Sequence, residues 1–247
     1  MTQTSPPAPR AERRRARPEW LAPAGLIALS LVPMSAGAFR LTELASGAAV
    51  TPANARFFDS PVPVVVHIIS SVVFLVLGAL QFAPSLRRRP WHRRAGRVLV
   101  PAGVLSALSG MWMAAAYDLP APSGTALLVM RLGFGTAMAA GIVVAFLAIR
   151  RGDVRTHSAW MTRAYAIGLG AGTQVFTFLP WTLAFGTPSE PVHALLMGAG
   201  WVINLAVAEV VIRRRARRGI RRPRAPRAAT VDSRDGAPSA AAGAHLS

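Results

Sequence analysis

Long uninterrupted runs of apolar residues alternate with short polar segments along this chain. Crossing a hydrocarbon layer about 30 Å thick takes about 20 apolar residues in a helix. Because the hydrophobicity of each run is continuous rather than alternating at every second position, the runs predict helices and not barrel strands. The sequence therefore predicts an all-α polytopic membrane protein built as a bundle of six transmembrane helices. The predicted spans cover residues 20–39, 61–83, 98–116, 125–149, 158–181 and 192–212.

The distribution of arginine predicts the orientation of these spans. All 28 basic residues are arginine, against 10 acidic residues, which leaves a net charge of +18. With both termini placed in the cytoplasm, Arg40 and Arg56 are the only arginines in the outer connections. This asymmetry follows the positive-inside rule and predicts an even number of spans, N-in and C-in. The chain also lacks cysteine, which excludes a disulfide scaffold, a zinc-cysteine site and a thiol enzyme.

The transmembrane domain, predicted over residues 20–212, lies between two arginine-rich ends. Residues 1–19 and 213–247 show no apolar periodicity and are predicted to be disordered. The arginine-rich cytoplasmic segments should attract anionic lipid headgroups, whereas nucleic acid is not expected, because the tail lacks stacking aromatic residues. One alternative remains for the first span. Its basic start, apolar run and small residues at 36–38 are also typical of a cleavable signal peptide, and cleavage would leave five spans.

Small residues recur every four positions in the third, fourth and fifth spans, which predicts close helix packing in a bundle core. The three rows are Ser106, Gly110 and Ala114; Gly133, Ala137, Gly141 and Ala145; and Ala164, Gly168 and Gly172.

Ionisable residues inside the predicted spans need a partner or a function. Arg131 and His67 fall at similar depths in the outer half of the bilayer. The simple interpretation is that Arg131 reaches outward to water while His67 bonds a helix carbonyl; the alternative is a neutral imidazole that binds a ligand. Arg163 and Glu209 fall at matching depths in the inner half, and we expect them to form an ion pair between the last two spans.

Four histidines are divided evenly between the two halves of the bilayer, with His67 and His193 outside and His92 and His157 inside. Imidazole is a common axial ligand of haem iron, so one pair in each leaflet would suit an electron carrier with two b haems, or one linked to quinone. However, His92 lies in a predicted connection beside Arg93, where a phosphate or headgroup contact fits equally well. Both interpretations stay open, and no other metal site is expected.

Three separated motifs occur in register with the predicted topology. They are His67 with Gly78, Gln81 and Phe82; His92 and Arg93 with Gly96 and Arg97; and His157 with Trp160, Met161 and Arg163. Their order over residues 61–181 resembles an uncharacterised bacterial membrane family, domain-of-unknown-function family 2306. The resemblance implies a multi-pass membrane protein without an established reaction. The chain departs from the family pattern at Ser158 and Leu99, where arginine and an aromatic residue are usual.

The matched residues at the inner face could form a ligand site. His157, Trp160 and Met161 share one helix face, where Trp160 and Met161 could stack on a ring. Cations nearby would then hold the anionic substituents of a quinone, a haem propionate or a lipid headgroup. The alternative is an interfacial belt that fixes the helix at the membrane surface. The inner-face ligand set would comprise His92, Arg93, His157, Trp160 and Arg163.

Three functional classes are consistent with the sequence. The first is a structural, accessory or regulatory protein of the bacterial cytoplasmic membrane without turnover. The second is a haem- or quinone-linked electron-transfer protein, and the third is a small-molecule transporter. Transport is disfavoured because the spans show no obvious break at mid-membrane and no inverted halves. An enzyme is not expected, since no serine, histidine and acid occur in a hydrolase motif.

Overall fold

The computed structural model describes residues 19–87, 90–119 and 121–220. All regular secondary structure in these ranges is helical, which confirms the all-α prediction. The helices are α1 (Leu21–Ser46), α2 (Ala55–Asp59), α3 (Pro61–Leu80), α4 (Pro84–Arg87), α5 (Pro90–Ala116), α6 (Thr125–Arg150), α7 (Val154–Gly168), α8 (Gly170–Phe185) and α9 (Glu190–Ile220).

The predicted disordered ends lie largely outside the described residues. Of the N-terminal segment 1–19, only the last residue is described, and the tail beyond residue 220 is not. Helix α9 continues through the first arginines of the predicted tail and ends at Ile220, eight residues after the predicted boundary at 212. Arginine is a good helix former, so a helix that leaves the membrane can continue through such a segment.

Five helices are long and apolar enough to cross a membrane: α1, α3, α5, α6 and the part of α9 from Glu190 to Arg217. The predicted span 158–181 is instead covered by two shorter helices, α7 and α8, which meet at Leu169. The expectation of an unbroken span is therefore wrong here. Leu169 has ψ −4°, and the N–H of Gly172 donates to its carbonyl at 3.1 Å, a tighter turn than in an α-helix.

Two of the helix boundaries follow directly from local sequence. Helix α1 ends at Gly47, whose φ of 62° lies in the left-handed region that glycine adopts without strain. Helix α7 begins after Asp153, whose carboxylate accepts a hydrogen bond from the N–H of Thr156 at 3.0 Å. This bond stabilises the charged form and holds the pKa of the Asp153 carboxyl below its usual range.

Helix α7 occupies a central position, since it packs against α3, α6 and α9. Around it, α3 packs on α5, α5 on α6, α8 on α9, and α1 on both α3 and α8. The buried core includes Phe74, Leu99, Ile142 and Tyr165. Large apolar side chains on the outside of the long helices, Phe39 and Val129 among them, are exposed. On helices of this length and composition, such exposed apolar surface faces the lipid bilayer, so the protein is membrane-embedded.

The small-residue rows form close contacts along only part of their length. A Cβ at Gly141 would meet Trp160 of α7 at 3.4 Å, and one at Gly168 would meet Phe74 of α3 at 3.0 Å. At Gly133, by contrast, no atom lies within 4 Å of the Cβ position. The row on α6 therefore packs closely at Gly141 and not at Gly133.

Candidate functional site

A cavity of about 400 Å³ lies among the helices in the half of the bundle that contains His67 and Arg131. Its volume is within the range of small-molecule sites, which are mostly apolar with a few placed polar groups. Apolar side chains such as Met34, Phe134 and Met138 form much of its wall. The polar and charged residues that line it are Arg56, His67, Ser71, Ser106, Tyr117, Arg131 and Gln174.

His67 is fixed at this cavity by helix α5. Its Nδ1 lies 2.9 Å from the carbonyl oxygen of Ser106 and 3.3 Å from the hydroxyl of Ser109. Because a carbonyl can only accept, Nδ1 carries the proton and donates it, a bond that is compatible with both interpretations of His67. In the neutral ring Nε2 then keeps its lone pair. A Cβ at Gly110 would lie 3.1 Å from the ring, so glycine there lets α5 approach the imidazole.

Arg131 lines two cavities at once. The second cavity has a volume of about 360 Å³ and is lined by Asp118, Ser123 and other residues of the connection between α5 and α6. Ala114, Tyr117, Leu119 and Arg131 are common to both linings. Among the described residues, ion pairs within 4 Å are formed by Arg40 with Glu43 and by Arg163 with Glu209, and Arg131 belongs to neither.

Two further polar residues of the cavity come from the connections. The hydroxyl of Tyr117 donates to the carbonyl of Ser60 at 2.6 Å, and burial raises the pKa of this hydroxyl. Phe57 packs edge-on against Tyr117, with 5.5 Å between the ring centres. The guanidinium carbon of Arg56 lies over the Phe57 ring, 4.3 Å from its centre. The buried Nε of Arg56 has no hydrogen-bond partner in the structure. Sequence reasoning missed this group, although the pairing of Arg56 with Phe57 on a short segment outside the spans was an available signal.

The inner-face residues take part in contacts between helices. His157 donates from Nδ1 to the carbonyl of Ala145 on α6 at 3.0 Å. Arg163 donates from Nε to Glu209 on α9 at 2.5 Å, which confirms the predicted ion pair. The guanidinium of Arg163 also lies 5.0 Å from the ring centre of Trp160. These contacts connect α7 with both neighbours, as expected of residues that position a helix.

The remaining predicted ligands are separate from one another in the described contacts. The carbonyl of His92, near the start of α5, accepts a hydrogen bond from Gln81 at 3.5 Å, and Arg93 beside it is exposed. His193 packs edge-on against Phe178 at 4.9 Å and is outside the lining of the cavity that contains His67. No described contact joins His92 to His157. Within the described ranges, no group of three or more histidine or acidic residues could hold a metal ion.

Comparison with known proteins agrees with this architecture. The family model DUF2306, described as a predicted membrane protein, matches residues 64–212. The chain belongs to this family. The match extends past residue 181, where the resemblance ended, and includes the end of α8 and most of α9, so the last predicted span belongs to the family region. No curated protein and no solved structure matches the chain.

Proposed function

We propose that this DUF2306 protein binds a small amphipathic molecule within the membrane, in an accessory or regulatory role without turnover. The observation that carries the proposal is that His67 and Arg131 line one cavity whose other walls are largely apolar. An imidazole with one nitrogen fixed, and a guanidinium without an ion-pair partner among the described residues, can orient the polar end of a molecule. The apolar walls suit its hydrocarbon part.

The proposal includes six spans, N-in and C-in, in a bacterial cytoplasmic membrane, with α7 and α8 together forming the fifth span. Together the two helices comprise 31 residues, from 15 in α7 and 16 in α8, which exceeds the roughly 20 needed to cross. In this orientation the cavity lies in the periplasmic half. Exposed arginines of the inner connections and of α9, such as Arg93, Arg151 and Arg214, contact anionic lipid headgroups.

The natural absence of cysteine makes the orientation directly testable. A single cysteine at Asp118 should react with a membrane-impermeant maleimide in intact spheroplasts. A single cysteine at Arg155 should react only after permeabilisation. Both positions are exposed, so a lack of labelling reports location rather than burial. Labelling of the Arg155 position in sealed cells would contradict the orientation.

Trp201 provides a probe of the cavity, because its indole is part of the lining. Bromodecanol with bromine at the chain end quenches indole fluorescence on contact. For protein in phosphatidylcholine nanodiscs we expect a saturable component of quenching that Trp201→Phe removes. Ala171→Phe, at another lining position, should abolish this component, whereas Ala140→Phe on the exposed side of α6 should preserve it. Quenching that remains linear with probe concentration would refute the binding site.

A second function, haem- or quinone-linked electron transfer, is favoured by one observation. His67 and His157 each donate from Nδ1 to a carbonyl of the neighbouring helix. That arrangement fixes the ring and leaves Nε2 for a metal, as is usual for metal-binding histidines. Visible spectra of the purified protein, oxidised and reduced, test it. A reducible Soret band lost in His67→Ala or His157→Ala would support this function, and a colourless preparation from haem-sufficient cells would contradict it.

A further inference from the structure

Arg131 occupies the junction of the two cavities in the outer half of the bundle. The cavity toward the α5–α6 connection contains Asp118 and Ser123, whereas the larger one is lined by Met138, Ile167 and other apolar side chains. Tyr117 is the other polar residue common to both linings. A molecule bound in the larger cavity would therefore place its polar end at Arg131 and its apolar part against the apolar walls.

The charge of Arg131 requires compensation. An arginine within the hydrocarbon region is costly unless it reaches water or pairs with an acceptor. Asp118 lines the outer cavity beside Arg131, yet no carboxylate oxygen lies within 4 Å of the Arg131 guanidinium among the described residues. Arg56, the second guanidinium of the larger cavity, has a buried Nε without a hydrogen-bond partner in the described part of the chain. Half-buried Arg131 therefore has no anionic partner among the described residues, and a carboxylate bound in the cavity would supply one.

The shape of guanidinium defines the chemistry of this acceptor. Its planar donors match the two oxygens of a carboxylate in a bidentate pair, which is stronger than a hydrogen bond between neutral groups. A volume of about 400 Å³ suits one short hydrocarbon chain, whereas the two chains of a phospholipid would have to remain largely in the bilayer. Building on the proposed function, we propose that the cavity selects single-chain carboxylic acids, and that Arg131 binds the carboxylate.

The bromine assay tests this selectivity with two probes that differ only in the head. In phosphatidylcholine nanodiscs at neutral pH, bromodecanoate should saturate the quenching of Trp201 at a concentration at least about tenfold lower than bromodecanol. Equal or weaker binding of the acid would overturn the inference while leaving the proposed function intact. Absence of saturable quenching by both probes would overturn both. Because this comparison uses the unmodified chain, it does not depend on the folding of a variant.

Variants assign the selectivity to a residue. Arg131→Gln should reduce the affinity for bromodecanoate about tenfold or more and leave bromodecanol unchanged, whereas Arg131→Lys should retain part of the preference because it retains the charge. Arg150→Gln, at the exposed inner end of the same helix, is the matched control. An acid preference that survives in Arg131→Gln would refute the assignment. Loss of the saturable signal of the neutral probe bromodecanol in phosphatidylglycerol nanodiscs, where surface repulsion does not act on it, would show that a phospholipid headgroup occupies the site, which also refutes the inference.

Discussion

The contact between α3 and α7 at Gly78 gives a sharp test of the packing. A Cβ at Gly78 would lie 2.6 Å from Cδ2 of Tyr165, closer than real side chains approach. The ring cannot easily move away, because the ring centres of Phe74 and Phe82 lie only 5.8 and 5.3 Å from its own. Its hydroxyl also donates to the carbonyl of Leu75 at 2.9 Å. Gly78→Ala therefore forces an overpacked core.

Two opposing effects determine the magnitude. Overpacking costs about 1–3 kcal/mol, while replacing a helical glycine with alanine stabilises by up to about 1 kcal/mol. Gly133→Ala on α6 has the second effect alone, because nothing lies within 4 Å of its Cβ position. We expect the difference in unfolding free energy between the two variants to be about 1–3 kcal/mol, with Gly78→Ala the less stable.

Thermal unfolding in detergent, followed by size-exclusion chromatography, measures this difference. Gly78→Ala combined with Tyr165→Leu should recover part of the loss caused by Gly78→Ala, since the ring edge that clashes is gone. If Gly78→Ala is as stable as Gly133→Ala, the close approach of α3 and α7 described above is incorrect. If the double variant is merely additive, the cause of the loss lies elsewhere than in the ring.

Three further results are expected. Tyr165→Phe removes one buried hydrogen bond and should destabilise by about 1 kcal/mol in the same assay, and an unchanged midpoint would mean that the bond contributes nothing. A double-mutant cycle of Glu209→Gln and Arg163→Gln should give a coupling of roughly 1 kcal/mol, since both side chains are partly exposed; simple additivity would disprove the pair. Asp153→Ala should lower the midpoint at neutral pH. Folding lowers the pKa of the Asp153 carboxyl, so its contribution to stability is present above the unfolded pKa and is lost as the pH falls through the folded pKa. A difference in midpoint between wild type and Asp153→Ala that persists in acid would contradict the capping role.

The sequence was most informative where one physical requirement dominates. Hydrocarbon thickness determines the length of an apolar run, and five of the six predicted spans correspond to helices that are long and apolar enough. The cost of burying a charge in lipid similarly restricts which ionisable residues can pair within the spans. Matching depth on two consecutive spans predicted the pairing of Arg163 with Glu209, which the structure confirms.

The cavity could not be predicted in the same way, because it depends on how connections fold over the bundle. Arg56 and Tyr117 are distant in sequence and lie outside the long apolar runs, yet both line the same space as His67. The interruption at Leu169 was also missed. Hydropathy does not register a single residue with altered backbone geometry, and the adjacent glycines indicated close packing as readily as a break.

That interruption has a mechanical consequence. Ile167 and Gly168 precede Leu169, Ala171 and Gln174 follow it, and all four line the larger cavity. The inner helix α7 is held to α9 by Arg163, whereas α8 packs against α1 and α9. A ligand in the proposed site would touch both sides of this joint, so a change in the angle between the two half-helices would change the contacts of the ligand and with them its affinity. Met34 of α1 also lines this cavity and α1 packs on α8, so a change in the angle at the joint would move α8 and α1 relative to the wall that α7 provides.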